Sequence, residues 1–205
     1  RFAKWRATYS VGDTLPSEEC IERNAKDLAD YAFVCQQNNI VPIVEPEVLM
    51  DGNHTIEKCY EVTKSVLERV FAKLNEKGVA IDGIILKPNM VISGQDSGVI
   101  DSSEKVAEMT IKCFHEVLPD DLPGITFLSG GQTEQQACAN LNAMNSTDEM
   151  HPWEISFSYG RALQTSALQA WLGKQKNIGL AQEAFAKRAK LTSLARSGEY
   201  NSDME

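Results

Sequence analysis

Histidine is scarce in this chain. His54, His115 and His151 stand far apart, without the H-x-x-x-H spacing that would turn two imidazoles to one helix face, so the sequence offers no dedicated zinc site. Cysteine pairing is also missing. Cys20, Cys35, Cys59, Cys113 and Cys138 are odd in number, include no C-x-x-C and fall mostly within helical patterns, as buried free thiols of a reducing, intracellular compartment do. No apolar run approaches the ~18 to 20 residues that span a bilayer, and Arg1-Phe2-Ala3-Lys4-Trp5-Arg6 lacks the apolar core of a secretion signal. Basic charge is in deficit: 20 Lys and Arg face 29 Asp and Glu, a net charge of -9 that leaves no footprint for nucleic acid or an anionic membrane. What remains, 205 residues at 42% hydrophobic and 24% charged, suffices for one globular domain with a sizeable core. The expectation is a cytoplasmic protein with no nucleic-acid or membrane partner.

Apolar periodicity gives the organisation. A helical stripe of Ile21, Ala25, Leu28, Ala29 and Ala32 runs through residues 17–39, opened by Pro16-Ser17-Glu18-Glu19. Ile40-Val41-Pro42-Ile43-Val44 then reads as a buried strand with Glu45-Pro46-Glu47 at its C-terminal end. A second helix spans 55–77, with Gly78 as its stop. The alternation continues with strand 81–86, helix 102–117, strand 125–128, helix 133–143, strand 153–158 and helices 162–172 and 178–196; the first strand occupies residues 1–10. Strand and helix in strict alternation predict parallel strands with helical crossovers.

Polar residues that end the strands separate a barrel from an open sheet. Lys4, Glu45, Lys87, Ser129 and Arg161 follow one another at 41, 42, 42 and 32 residues, so each unit delivers one reactive side chain to a common rim. Strand parity places Lys4 with Arg6, Val41 with Ile43, Glu45 and Glu47, and Ile81 with Ile85 and Lys87, each set on one face. In a (β/α)₈ barrel that face is the interior, and its C-terminal rim carries the chemistry. Only five strands are found here, against eight in a closed barrel of ~250 residues. The expected fold is therefore an incomplete (β/α)₈ TIM barrel of about five C-terminal βα units, with the missing units before Arg1.

Lys87 ends the apolar run Ile84-Ile85-Leu86. Burial disfavours its charged form, a second cation such as Lys4 adds to that, and a neutral amine is what Schiff-base chemistry needs. A lysine that snorkels into solvent or pairs with Glu45 is the alternative. Glu45 and Glu47, two apart on one strand face, suit proton transfer; an E-x-E loop facing solvent, or a weak metal site with His54, are the other readings. Ser129-Gly130-Gly131-Gln132 and Tyr159-Gly160-Arg161 each follow a strand and precede a helix, offering backbone N–H groups and a guanidinium to an anion. Either turn alone is ordinary βα-loop chemistry; together they occupy the last two strands, where barrels often bind phosphate.

Five segments in order resemble the class I fructose-1,6-bisphosphate aldolases: Phe2-Ala3-Lys4-Trp5-Arg6, Ile40-Val41-Pro42-Ile43-Val44-Glu45-Pro46-Glu47, Leu86-Lys87-Pro88-Asn89-Met90, Thr126-Phe127-Leu128-Ser129-Gly130-Gly131-Gln132 and Phe157-Ser158-Tyr159-Gly160-Arg161-Ala162-Leu163. The resemblance covers essentially the whole chain and corresponds to strands four to eight of the family's barrel. It implies that Lys87 forms an imine with the ketose carbonyl and that Glu45 is the acid/base dehydrating the carbinolamine. Lys4 would lie beside the reacting centre, with Glu47 in support. The phosphate of the dihydroxyacetone half would rest on Ser129, Gly130, Gly131, Gly160 and Arg161, with Arg6 towards the other phosphate. The implied chemistry uses no cofactor and no metal, because the protonated imine is the electron sink. The implied partners are a small phosphorylated sugar and, at full length, three further copies in a homotetramer.

The resemblance also implies a partial barrel domain over residues 1–196 and the start of a truncated C-terminal tail over 197–205, where Ser197-Gly198-Glu199-Tyr200 matches but the terminal tyrosine of many members does not follow. The first three strands, with an aspartate and basic substrate contacts, would precede the chain. The rival reading is a half-barrel without catalysis, serving as a structural or interaction module.

Overall fold

Hydroxyl caps fix where the helices begin. In the computed structural model, which describes residues 1–147 and 150–205, the side chains of Ser17, Thr55, Ser102 and Thr133 accept from the backbone N–H three residues on, and Gln136 returns the favour to Thr133 in a capping box. The elements are β1 (Phe2–Tyr9), α1 (Glu18–Gln37), β2 (Val41–Val48), α2 (Ile56–Lys77), β3 (Ile85–Leu86), α3 (Ser103–Val117), β4 (Gly124–Phe127), α4 (Glu134–Asn145), β5 (Glu154–Phe157), α5 (Arg161–Trp171) and α6 (Ile178–Arg196). Gly78 closes α2 at φ 75°, a left-handed conformation that costs glycine little.

The five strands form one parallel sheet whose spatial order is the order of the chain, β1-β2-β3-β4-β5. Successive helices pack on one another in the same order, α1 on α2, α2 on α3, α3 on α4, and α4 on α5 and α6. A helix layer on one side of a singly wound sheet is an arc of a barrel; a doubly wound sheet would reverse its strand order and carry helices on both faces. The core lies between the layers, where Val44, Val48, Leu86, Ile125, Phe127 and Ile155 of the strands join the apolar stripes of the helices. All five cysteines are free thiols, four of them buried.

Two departures from the sequence reading concern the strands that carry the chemistry. The third strand is not 81–86: Ile81–Gly83 is a 3₁₀ turn and only Ile85–Leu86 pairs as a strand. Asp82-Gly83 is turn chemistry inside an apolar run. Ile81 accordingly joins the core under the helices instead of sharing a face with Ile85 and Lys87. The second strand, by contrast, runs through Glu45-Pro46-Glu47 to Val48, because β1 pairs with it continuously from Phe2–Val41 to Tyr9–Val48.

The loops after β2, β3 and β4 are locked together at the rim. Gly94 N–H donates to His54 O, Gln95 N–H to Met50 O and Asp96 N–H to Gly52 O, each at 2.8 Å, while the Gln95 side chain donates to Gly131 O at 3.1 Å. A Cβ on Gly94 would lie 2.2 Å from the Gly52 carbonyl oxygen, closer than atoms can approach. Gly94→Ala in the full-length protein is therefore expected to lower unfolding free energy by about 3 kcal/mol through overpacking; an unchanged urea midpoint would contradict the close approach.

Candidate active site

The parity of β2 turns Val44 and Val48 into the core and leaves Glu45 and Glu47 on the opposite face of the sheet. Lys87 emerges from β3 on that same face, held by its N–H, which donates to Val44 O at 2.8 Å. Glu45, Glu47 and Lys87 are only 3%, 7% and 9% exposed, so their charges have little water and must find partners in the protein. They do. The Glu45 carboxylate is a fork between two lysines, with Oε1 3.1 Å from Lys87 Nζ and Oε2 2.6 Å from Lys4 Nζ. The Lys4 contact is an ion pair without the alignment of a good hydrogen bond.

Both cross-strand contacts from β1 lean two residues towards the rim. Lys4 lies opposite Ile43 in register and reaches Glu45; Arg6 lies opposite Glu45 and bonds Glu47. The Glu47 hydrogen bond pushes the Arg6 guanidinium further above its already high pKa, against the smaller opposing effect of burial. Arg6 and Lys4 remain about half exposed on their outer sides, so the two cations face the open interior of the arc.

The glycine turns close the other side of the rim. A Cβ at Gly130 would lie 3.1 Å from Glu47 Oε1 and 4.0 Å from Arg161 Nη2, so the Ser129-Gly130 backbone, the second carboxylate and the guanidinium converge on one spot. Ser129 is buried and its Oγ accepts from Ala162 N–H at 3.4 Å, tying the end of β4 to the first turn of α5. That helix starts at Gly160 with no side-chain cap, and the positive end of its dipole favours an anion. No heavy atom lies within 4 Å of a Cβ built on Gly160, which leaves its backbone approachable. Gly131 and Arg161 line a shared cleft of about 480 Å³. Gly131 itself does not reach the carboxylates: at φ 77° it packs against Met50, with room for no Cβ.

His54 stays apart from this constellation. It is buried in the loop after β2, neither ring nitrogen has a hydrogen-bond partner among the described residues, and burial pushes its pKa down, favouring the neutral imidazole. Among the described residues no group of three His, Cys, Asp or Glu side chains is arranged to hold a metal ion, which bears on the reading of Glu45 and Glu47 with His54 as ligands.

The sequence reading named no role for Asn89 or Gln95. Both are polar residues in the loop after β3 whose side chains bind backbone groups of neighbouring units. The available signal for Asn89 was Pro46, which removes a ladder donor between two strand ends that must still be held together.

Residues 1–205 match the family model described as class-I fructose-bisphosphate aldolase. The chain is 52% identical over 200 residues to cytosolic fructose-bisphosphate aldolase 5 of Arabidopsis thaliana, covering 98% of this chain and 56% of the relative. It is 51% identical over 199 residues to fructose-bisphosphate aldolase B of Gallus gallus, covering 97% and 55%. Its fold superimposes with a TM-score of 0.95 and 46% identity on the Plasmodium falciparum fructose-bisphosphate aldolase solved with TRAP and a small-molecule inhibitor, over 98% of this chain and 58% of that one. The chain thus spans little more than half the length of the relatives it matches.

Proposed function

The chain belongs to the class I fructose-bisphosphate aldolase family, and from that premise we propose that the full-length protein reversibly cleaves fructose 1,6-bisphosphate through a Schiff base on Lys87. The carrying observation is the Glu45 carboxylate set between Lys87 Nζ and Lys4 Nζ on the rim that also presents Ser129, Gly130 and Arg161. Lys87 passes a proton to Glu45, 3.1 Å away, and its freed amine adds to the C2 ketone; Glu45 then delivers that proton to the departing hydroxyl as the carbinolamine loses water. In the protonated imine the C3–C4 bond breaks with its electron pair flowing to nitrogen, while the 4-hydroxyl gives its proton to a rim carboxylate. Glyceraldehyde 3-phosphate leaves. The enamine is then protonated at C3, and water returns to C2 to release dihydroxyacetone phosphate and the lysine. Lys4 steadies negative charge on Glu45 and at the reacting oxygens, and the Arg6–Glu47 pair fixes the second carboxylate against β1. Arg161, the Gly130 and Gly160 backbone and the α5 N-terminus suit the phosphate of the dihydroxyacetone half, with Arg6 towards the other.

This reading places the protein in glycolysis and gluconeogenesis. It takes residues 1–196 as part of one barrel domain, 197–205 as the beginning of a tail and the assembly as a homotetramer. A cytoplasmic location is supported by relatives named cytosolic, and no helix among the described residues is long and apolar enough to cross a membrane. The experiment is a coupled assay of fructose 1,6-bisphosphate cleavage by the full-length protein, with and without EDTA. Because the imine supplies the electron sink, the rate is expected to be the same in both. Activity lost to the chelator and restored by zinc would overturn the mechanism, and no cleavage in either would overturn the function.

A further inference from the structure

The ladder between β2 and β3 fails where the chemistry sits. Ile43 pairs with Ile85 and Val44 with Leu86, Lys87 N–H reaches Val44 O, and there the regular pairing ends. Pro46, between Glu45 and Glu47, lacks the N–H that would next donate to Lys87 O and continue it, while Pro88 faces β4, its carbonyl accepting from Leu128 N–H at 3.2 Å. Beyond the Lys87 N–H bond to Val44 O, the strand ends that carry Glu45, Glu47 and Lys87 therefore have no regular backbone rung between them among the described residues.

Asn89 supplies the rung from its side chain. It is 1% exposed, and its Oδ1 accepts from Val48 N–H, the residue after Glu47, at 3.0 Å. By the two-residue repeat of a parallel ladder that N–H is due the backbone carbonyl of Asn89, and the side-chain oxygen stands in its place. The Nδ2 group donates to Thr63 Oγ1 of α2 at 3.0 Å and to Met90 O at 3.1 Å. Since a backbone N–H can only donate, the carboxamide has one orientation, oxygen towards β2 and nitrogen towards α2. Thr63 is itself 1% exposed, so neither bond has water as a substitute.

We propose that Asn89 is a positioning residue for imine formation: its carboxamide sets the offset of the Lys87 strand end from the Glu45-Glu47 strand end, with Thr63 as its anchor on α2. The inference rests on the Schiff-base reading above, and Asn89 acts through its bonds to β2 and α2, not on the substrate. Misplacing a reacting pair by ~1 Å costs on the order of 100-fold in rate, while ground-state binding through the phosphates is left nearly intact.

The test uses the full-length protein and the rate at which borohydride traps dihydroxyacetone phosphate. Asn89→Ala is expected to slow trapping and kcat by ~30- to 100-fold, with KM changed by less than ~3-fold. Thr63→Val, nearly isosteric, removes the anchor together with the hydroxyl's 3.9 Å contact to Cys59 Sγ and is expected to slow trapping ~5-fold with an unchanged circular dichroism spectrum, whereas Thr63→Ser keeps the hydroxyl and the wild-type rate. Trapping at the wild-type rate in folded Asn89→Ala overturns the proposal. If that variant does not fold, Thr63→Val decides, and equal rates for the Val and Ser variants overturn it. A wild-type protein that traps nothing overturns the Schiff-base reading itself, a result distinguishable from trapping that is normal in every variant.

Discussion

Lys87→Met in the full-length protein is expected to reduce fructose 1,6-bisphosphate cleavage by at least ~10⁴-fold, the scale of removing a covalent nucleophile. Methionine preserves the stem volume but has no amine to add to the C2 ketone, so neither the imine nor its electron sink can form. The fold is expected to survive. Glu45 would lose one of its two cations yet keep Lys4 at 2.6 Å, so no buried carboxylate is left unpaired. That separates this substitution from one at Glu45, which would leave Lys87, 9% exposed, facing no carboxylate within its present ion pair. A steady-state assay with a circular dichroism control checks it. A variant within ~10-fold of wild type would remove Lys87 from the chemistry and favour catalysis without a Schiff base.

Residues 1–205 expressed alone are expected to show no cleavage and to self-associate. The sheet order leaves β1 and β5 each paired on one side only among the described residues, and an unpaired parallel strand is a template for another chain. Apolar surface accompanies both edges. Phe2 and Trp5 of β1 are 72% and 55% exposed, and Leu168 and Trp171 of α5, Leu172 after it, and Leu180 and Phe185 of α6 are exposed too. Barrel closure would cover these surfaces and abolish the edges. Lys4 and Arg6 sit on one of those edges, so the cations that flank Glu45 and Glu47 depend on a strand with no outer neighbour, and a displacement of ~1 Å there costs on the order of 100-fold in rate. Size-exclusion chromatography and the cleavage assay read both outcomes. A monodisperse, active chain would contradict the need for closure; a monodisperse, inactive monomer would favour the half-barrel that serves as a structural or interaction module.

The elements that sequence made legible are those governed by period and caps. Helix α2 is read from Val62, Val66, Val70 and Leu74 and from Thr55 and Gly78 at its ends, all local signals, and the structure returns it almost residue for residue. The sheet was harder. Asp82-Gly83 turned half of an apolar run into a 3₁₀ turn, and β2 continued past two glutamates and a proline because β1 supplies partners for every residue to Val48, a tertiary fact that no window of β2 contains. At the rim, the one-face placement of Glu45, Glu47 and Lys87 followed from strand parity. Distances could not: that Glu45 forks between Lys4 and Lys87, and that Gly130 leaves no free space for a Cβ beside Glu47 while Gly131 packs on Met50, depends on how separate strands and loops stack.

The most direct measurement of the Schiff-base account is to reduce the full-length protein with borohydride in the presence of dihydroxyacetone phosphate and map the adduct by peptide mass. The account predicts one stable secondary amine, on Lys87, and none on Lys4 although it shares the same carboxylate. An adduct carried by Lys4, or no adduct at all, would contradict it.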